Sequence, residues 1–202
     1  MIAEATSSLP GWWSAWALPL GAGVCLSAAC GFRTFIPLLA VGLASHFGLV
    51  PVDSQYGWLS SATGLVALGT AAALEVGGYY IPIVDHALDV IATPLATAAG
   101  ALAMFTSIGS DHGLMGWLLA LLIGGGVSTA VQVTTVKARA ISTGATAGLA
   151  NPLVATGELA GAATLSAVAV FLPMVALAIA VTILVLLWWA YRWVRSKRTS
   201  IR

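Results

Sequence analysis

Long apolar segments with very few charges constrain this chain more than any other feature of its sequence. Between residues 152 and 189 the only ionisable side chain is Glu158. At 1.5 Å per residue, one helix of that length would be far longer than the roughly 30 Å hydrocarbon core of a bilayer. The segment therefore predicts two membrane-crossing helices, with a turn at Leu172 and Pro173.

The composition extends this interpretation to the whole chain. Of its 202 residues, 59% are hydrophobic and only 7% are charged, whereas a soluble domain carries about 25% charged residues. The length suits a single transmembrane domain, residues 1–202, with about seven spans. We therefore predict an all-α fold, a polytopic transmembrane helix bundle. The net charge of +1 and the absence of a basic face argue against a nucleic-acid partner.

The apolar segments also locate the individual helices. We expect helices at residues 12–30, 33–47, 58–80, 85–108 and 114–135, and one on each side of the turn at 172–173. Residues 33–47 are short for a full span, so a re-entrant hairpin is the alternative there. Residues 137–151 are only weakly hydrophobic and predict either a loop or a short helix along or into the membrane. The first helix lacks the basic flank of a signal peptide, so we expect it to be retained.

The basic residues predict the orientation of the spans. In a seven-span arrangement all eight fall at one face, which the positive-inside rule identifies as cytoplasmic. They are Arg33, Lys137, Arg139, Arg192, Arg195, Lys197, Arg198 and Arg202. The N-terminus is then outside and the C-terminus inside; a re-entrant 33–47 segment would reverse the first helix only. Residues 192–202 form a basic cytoplasmic tail, which we expect to bind anionic lipid.

Similar glycine-containing segments in the two halves, Gly21 to Val24 and Gly124 to Val127, suggest an internal repeat. Each segment leads into a basic residue and a proline, and each half carries one membrane-depth glutamate, Glu75 or Glu158. This pattern is consistent with a 3+1+3 parallel pseudo-repeat, with half-repeats at 12–80 and 114–195 and a connector helix at 87–108. Glycines four apart, at 144 and 148 and at 157 and 161, have the spacing that allows close helix approach and homo-oligomer contacts.

Glu75 and Glu158 are expected at similar depths, about 8 Å inside the cytoplasmic interface. An ionisable group at that depth is costly unless it is paired or hydrated, so each is a candidate functional residue. The alternative is a structural pair with Arg33 or Arg139 that fixes helix packing. Arg33 opens a helix, where its charge opposes the helix dipole. It therefore calls for a partner such as Glu75, a lipid phosphate or an anionic solute.

Asp85 and Asp89 share one face of the next helix because they are four residues apart. Asp85 suits a helix start, where a carboxylate favours the positive end of the dipole. Together with Glu75 and Glu158, the two aspartates are also consistent with an oxygen-rich cation site. With one nearby histidine and no usable cysteine pair, we expect no zinc or copper site and no cofactor. Cys25 and Cys30 are interpreted as small buried residues.

Several of these segments resemble a bacterial membrane family. The most specific is GFRTFIPLLAVGLASHFG at residues 31–48. The others are the Leu74-Glu75 pair, the stretch from Asp85 to Asp89 with Pro94, and the stretch from Lys137 and Arg139 through Asn151-Pro152 to Glu158. The family is catalogued as domain of unknown function 4126. The resemblance implies a multi-pass protein of the bacterial inner membrane and supplies no activity.

From these patterns we expect a small transporter or channel-like protein for a small anionic or proton-coupled solute. Candidate binding residues are Arg33, Glu75, Asp85, Asp89, Arg139, Asn151 and Glu158. The alternative is a non-transporting membrane scaffold or assembly factor whose charges form packing pairs. No Ser-His-Asp set, P-loop, dinucleotide fingerprint or haem motif is recognisable, so an enzyme is not expected.

Overall fold

The described part of the protein is all helical. A computed structural model describes residue 11 and residues 16–109 and 113–199, except for the side chains of 82–83, 85–86, 187, 190–191 and 193–199. In chain order the helices are α1 Leu18–Phe32, α2 Phe35–His46, a 3-10 helix Ser54–Ser60, α3 Ala62–Gly78, α4 Pro82–Ile108, α5 Gly113–Leu119, a π-helical segment Ala120–Gly125, α6 Gly126–Thr146, α7 Asn151–Phe171 and α8 Pro173–Thr199.

Three helical stretches are long and apolar enough to cross a membrane. They are Ala87–Ile108, Gly113–Thr146 and Asn151–Phe171. A fourth results if the 3-10 helix and α3, which are bent by 59° relative to each other, count as one span. Leu18–Phe32, Phe35–His46 and Pro173–Leu186 are shorter apolar helices. By length and composition the described residues therefore supply three to four candidate spans and three further apolar helices.

Helix α1 lies at the centre of the bundle. It packs against α4, α6, α7 and α8, and almost every residue from Gly21 to Gly31 is buried. Ser27 donates to the carbonyl oxygen of Gly100 in α4 at 2.8 Å, which satisfies its hydroxyl inside the bundle. Cys25 and Cys30 are buried thiols of this helix. The centre is thus built from small residues that let the helices approach closely.

The outer surface carries many large apolar side chains. Val90, Leu122, Leu153 and Val185 are examples of residues more than half exposed on α4, the π-helical segment, α7 and α8. Small and polar residues lie inside, among them Ser128, Ser166 and Ala162. A surface of this kind is unfavourable in water over so large an area, whereas hydrocarbon solvates it well.

The break between two helices predicted at 172–173 is confirmed. Helix α7 ends at Phe171, and Pro173 begins α8, because proline lacks the N–H that would continue the preceding helix and is favourable at a first helical turn.

The predicted end of the fifth helix near residue 135 is wrong. The helix continues through the π-helical segment and α6 to Thr146. It ends where Ala147 and Gly148 adopt positive φ angles of 52° and 85°, a common helix termination. Residues 137–146 have low hydropathy because Lys137 and Arg139 lie there, yet their alanines support a helix.

The glycines that make close contacts differ from those at the 144/148 and 157/161 spacings. A Cβ atom added to Gly144 or Gly157 would meet no atom within 4 Å, whereas one added to Gly31 would lie 2.5 Å from the carbonyl oxygen of Ser128. The first residues of the predicted helix 12–30, at 12–15, and the basic side chains at 195–202 lie outside the described part of the chain.

Candidate functional site

Two of the arginines whose side chains the structure describes are buried inside the bundle. Arg33 follows α1 and is 1% exposed; Arg139 lies in the third turn from the end of α6 and is 2% exposed. Arginine remains protonated in proteins, so both positive charges need compensation within the fold. The residues around them define the candidate site.

Glu158 of α7 connects the two guanidinium groups. Its Oε1 accepts a hydrogen bond from Arg139 Nε at 3.1 Å, and its Oε2 accepts from Arg139 Nη2. The same Oε2 lies 3.2 Å from Arg33 Nη2, which also donates to the carbonyl oxygen of Ala155 at 2.9 Å. Asp89 of α4 accepts from Arg139 Nη1 at 2.5 Å. Four helical segments therefore meet at one network of ion pairs.

Tyr79 completes this network. Its ring centroid lies 4.0 Å from Arg33 Cζ and 3.9 Å from Arg139 Cζ. An aromatic face at that distance attracts a cation, and the attraction strengthens when both groups are desolvated. Arg33, Tyr79, Asp89, Arg139 and Glu158 together are called the charged cluster below. Tyr79 was not among the residues expected from sequence, although it follows Glu75 by four residues and so lies on the same helix face.

Glu75 contacts backbone instead of an arginine side chain. Its Oε1 accepts from the backbone N–H of Thr34 at 2.8 Å, and its Oε2 accepts from the backbone N–H of Phe35 at 3.1 Å. These groups belong to the start of α2, where helix N–H donors lack partners within the helix and favour negative charge. Because Thr34 follows Arg33 directly, Glu75 fixes the backbone that carries this arginine.

Replacing Glu75 with Gln is expected to lower the free energy of unfolding by about 2 kcal/mol. The amide can accept from one of the two backbone donors, but its NH₂ group then faces the other. Thermal unfolding in detergent, followed by tryptophan fluorescence, would measure the loss. Glu75→Asp is the matched control, because it keeps the negative charge but shortens the side chain by one methylene group. An unchanged melting temperature in the Gln variant would contradict this role.

Asn151 and Asp85 are the remaining candidate residues from the sequence analysis. Asn151 lies at the start of α7, and its Nδ2 donates to Thr143 Oγ1 at 3.0 Å, joining the ends of α6 and α7. The Asp85 side chain lies outside the described part of the structure. Among the described residues, no group of three or more His, Cys, Asp or Glu side chains is arranged to hold a metal ion.

Two donor atoms of Arg33 stand out within this network. Its Nε and Nη1 are buried and have no hydrogen-bond partner within the described part of the chain. A buried donor without an acceptor costs about 1–3 kcal/mol, and more when it is charged. The cluster therefore offers two unused, positively charged N–H groups in its interior.

A cavity of about 250 Å³ reaches the edge of the cluster. Glu75 and Tyr79 line its inner wall, and its rim includes the exposed side chains of Leu74, Ile91 and Leu95 on α3 and α4. The cavity thus opens through an apolar part of the outer surface.

An apolar exterior around a buried network of charges is characteristic of an integral membrane protein. The chain belongs to the family described as Domain of unknown function (DUF4126), whose model matches residues 20–193. Neither a curated protein nor a solved structure matches it.

Proposed function

We propose that this is a bacterial inner-membrane protein that transports or conducts a small anionic or proton-coupled solute through the charged cluster. The observation that carries the proposal is the pair of unpartnered donors on Arg33, which is 1% exposed. A residue used only for packing would be expected to have acceptors for these groups, because an unmatched buried donor is destabilising. An anion bound beside Arg33 would supply the missing acceptor.

Glu158 is the group best placed for proton coupling. It accepts from Arg139 and lies 3.2 Å from Arg33 Nη2. Protonation of Glu158 would remove the negative charge shared by the two guanidinium groups. Both arginines would then attract an anionic solute more strongly, so a proton and an anion would bind together. Buried acidic residues that bind and release protons in this way occur in many transporters.

The cavity beside Glu75 and Tyr79 supplies an approach to the cluster. Tyr79 forms part of its wall and also contacts both guanidinium groups. A rotation of the Tyr79 side chain would connect the cavity with the arginines. In this proposal Tyr79 is the residue that separates the cavity from the buried charges.

The proposed topology has about seven spans, with the N-terminus outside and the C-terminus in the cytoplasm. The support is the positive-inside distribution of the basic residues, together with the three to four candidate spans and three shorter apolar helices. The short α2 is either a span or part of a re-entrant hairpin. The 3+1+3 pseudo-repeat and anionic lipid at the basic tail belong to the same proposal.

A second candidate function is a non-transporting scaffold or assembly factor. The observation that favours it is the contact of Arg139 with both Glu158 and Asp89, which is the geometry of a packing network. The open positions at Gly144 and Gly157 would then be surfaces for a partner helix or a second copy of the chain. This alternative predicts no solute movement.

Flux through liposomes distinguishes the two functions. The purified protein would be reconstituted and tested with chloride, nitrate, formate, acetate and phosphate, with and without a pH gradient. We expect flux of at least one anion above that of empty liposomes. Arg33→Gln should reduce it about tenfold or more, because a charge-assisted hydrogen bond contributes about 1.5–3 kcal/mol. Glu158→Gln should remove the dependence of the anion flux on the pH gradient.

Lys137→Gln is the matched control, because it removes an exposed positive charge from the same helix as Arg139. It should leave the flux unchanged. Absence of flux with all five anions would favour the scaffold. Normal flux in both Glu75→Gln and Glu158→Gln would contradict the proposed coupling.

A further inference from the structure

A second buried donor without an acceptor lies on α6. Gln132 is 2% exposed, and its Nε2 has no hydrogen-bond partner within the described part of the chain. It shares a buried helix face with Ser128, Thr135 and Arg139, at spacings of four, three and four residues. A polar stripe therefore runs along α6 from the charged cluster into the middle of the bundle, with Gln132 about 10 Å from Arg139 along the helix axis.

The packing of α1 brings Arg33 and Gln132 into the same region. A Cβ atom added to Gly31 would lie 2.5 Å from the carbonyl oxygen of Ser128 and 2.6 Å from Val131 Cβ. The end of α1 thus lies against the turn of α6 that carries Gln132. Arg33 follows Gly31 by two residues, so its side chain begins close to the turn of α6 that carries Gln132.

We propose that Arg33 and Gln132 form a binding site for a halide-sized inorganic anion. The inference rests on the proposed function and specifies its solute. All three unpartnered atoms, Arg33 Nε and Nη1 and Gln132 Nε2, are N–H donors, so the ligand must be an acceptor. One of the two residues is a cation, which favours a negative ligand. Because the three atoms are fully buried, the ligand must be small and must lose its water shell.

Thermal unfolding in detergent tests the site without any transport. The melting temperature would be measured in sodium chloride, sodium fluoride, sodium phosphate and sodium gluconate at equal ionic strength. Chloride or fluoride should raise it by about 5 °C at a hundredfold excess over its Kd, because a ligand that binds only the folded state stabilises that state. Gluconate and phosphate should not raise the melting temperature, since both are larger than a halide and the three donor atoms are buried.

Two substitutions of Gln132 assign this shift to the site. Gln132→Met keeps the length of the side chain but removes its donor, so the halide shift should fall by at least half. Gln132→Glu places a carboxylate beside the unpartnered donors of Arg33. That variant should unfold at or above the wild-type temperature without halide and should show no halide shift. The control Lys137→Gln should respond like the wild type.

Each result separates the site from the proposed transport. A wild-type halide shift that is lost in Gln132→Met and Gln132→Glu supports the site, even if liposomes show no flux. No halide-specific shift in the wild type would overturn the site, as would an undiminished shift in Gln132→Met. An equal shift with phosphate would also overturn it. If flux depends on Arg33 while the halide shift is absent, the transport proposal stands and the halide site falls.

Discussion

Replacing Arg139 with Met is expected to lower the free energy of unfolding by about 3 kcal/mol, because Glu158 loses two hydrogen bonds and keeps only its contact with Arg33. Glu158 is 5% exposed and accepts two hydrogen bonds from this arginine. Asp89 would also lose its contact with Arg139 Nη1, but its side chain is partly exposed and can be hydrated. Most of the loss should therefore come from Glu158.

A double-mutant cycle with Glu158→Met isolates this effect. Glu158→Met removes the carboxylate that both Arg33 and Arg139 contact, whereas the double variant removes Arg139 as well. Because the double variant contains one buried cation fewer than Glu158→Met, it should be more stable than that single variant. Unfolding in mixed detergent, followed by tryptophan fluorescence, would give the free energies.

Lys137→Met is the control for this cycle, since it removes an exposed charge two residues away on the same helix. It should change stability by less than about 0.5 kcal/mol. If Arg139→Met were equally mild, the network would not hold α4, α6 and α7 together.

The convergence of Arg33, Asp89, Arg139 and Glu158 follows from the sequence for a simple physical reason. Charges inside an apolar bundle must compensate one another, so a few buried charges at one end predict their own partners. The sequence does not show which carboxylate contacts which arginine. Glu75 was a possible partner for Arg33, but it contacts the start of α2, because backbone donors compete for a carboxylate as well as a cation does.

Tyr79 and Gln132 show which site residues sequence reasoning misses. Neither carries a charge, and each occurs in a segment whose apolar neighbours dominate its pattern. Tyr79 becomes significant only because two guanidinium groups lie about 4 Å from its ring. Gln132 becomes significant only because its amide is buried without a partner. Both properties depend on contacts between helices that are distant in the sequence.

Some helix boundaries could likewise be predicted from the sequence, and others could not. The turn at Leu172 and Pro173 depends on local backbone chemistry and could be predicted. The extension of α6 to Thr146 could not, because hydropathy scores Arg139 as if it faced water. In the fold its charge is matched by Glu158, so the helix continues.

Replacing Gly31 with Ala is expected to destabilise the protein by about 3 kcal/mol, in the upper part of the usual range for an overpacked interior. The new methyl group would lie 2.5 Å from the carbonyl oxygen of Ser128 and 2.6 Å from Val131 Cβ. The first atom is backbone and the second belongs to a β-branched residue, whose rotamers are restricted. Neither can move aside easily, so α1 and α6 must separate.

Gly126→Ala is the matched control, because a Cβ atom there would meet nothing within 4 Å. It should be neutral or stabilising by up to about 1 kcal/mol, given the low helix propensity of glycine. Melting temperatures of the two variants in the same detergent would test the contrast. Separation of α1 from α6 would also move Arg33 away from Gln132, so Gly31→Ala should lose the halide shift as well. If Gly31→Ala is destabilised but keeps the full halide shift in melting temperature, the close contact between α1 and α6 is not what positions the donors of Arg33 and Gln132.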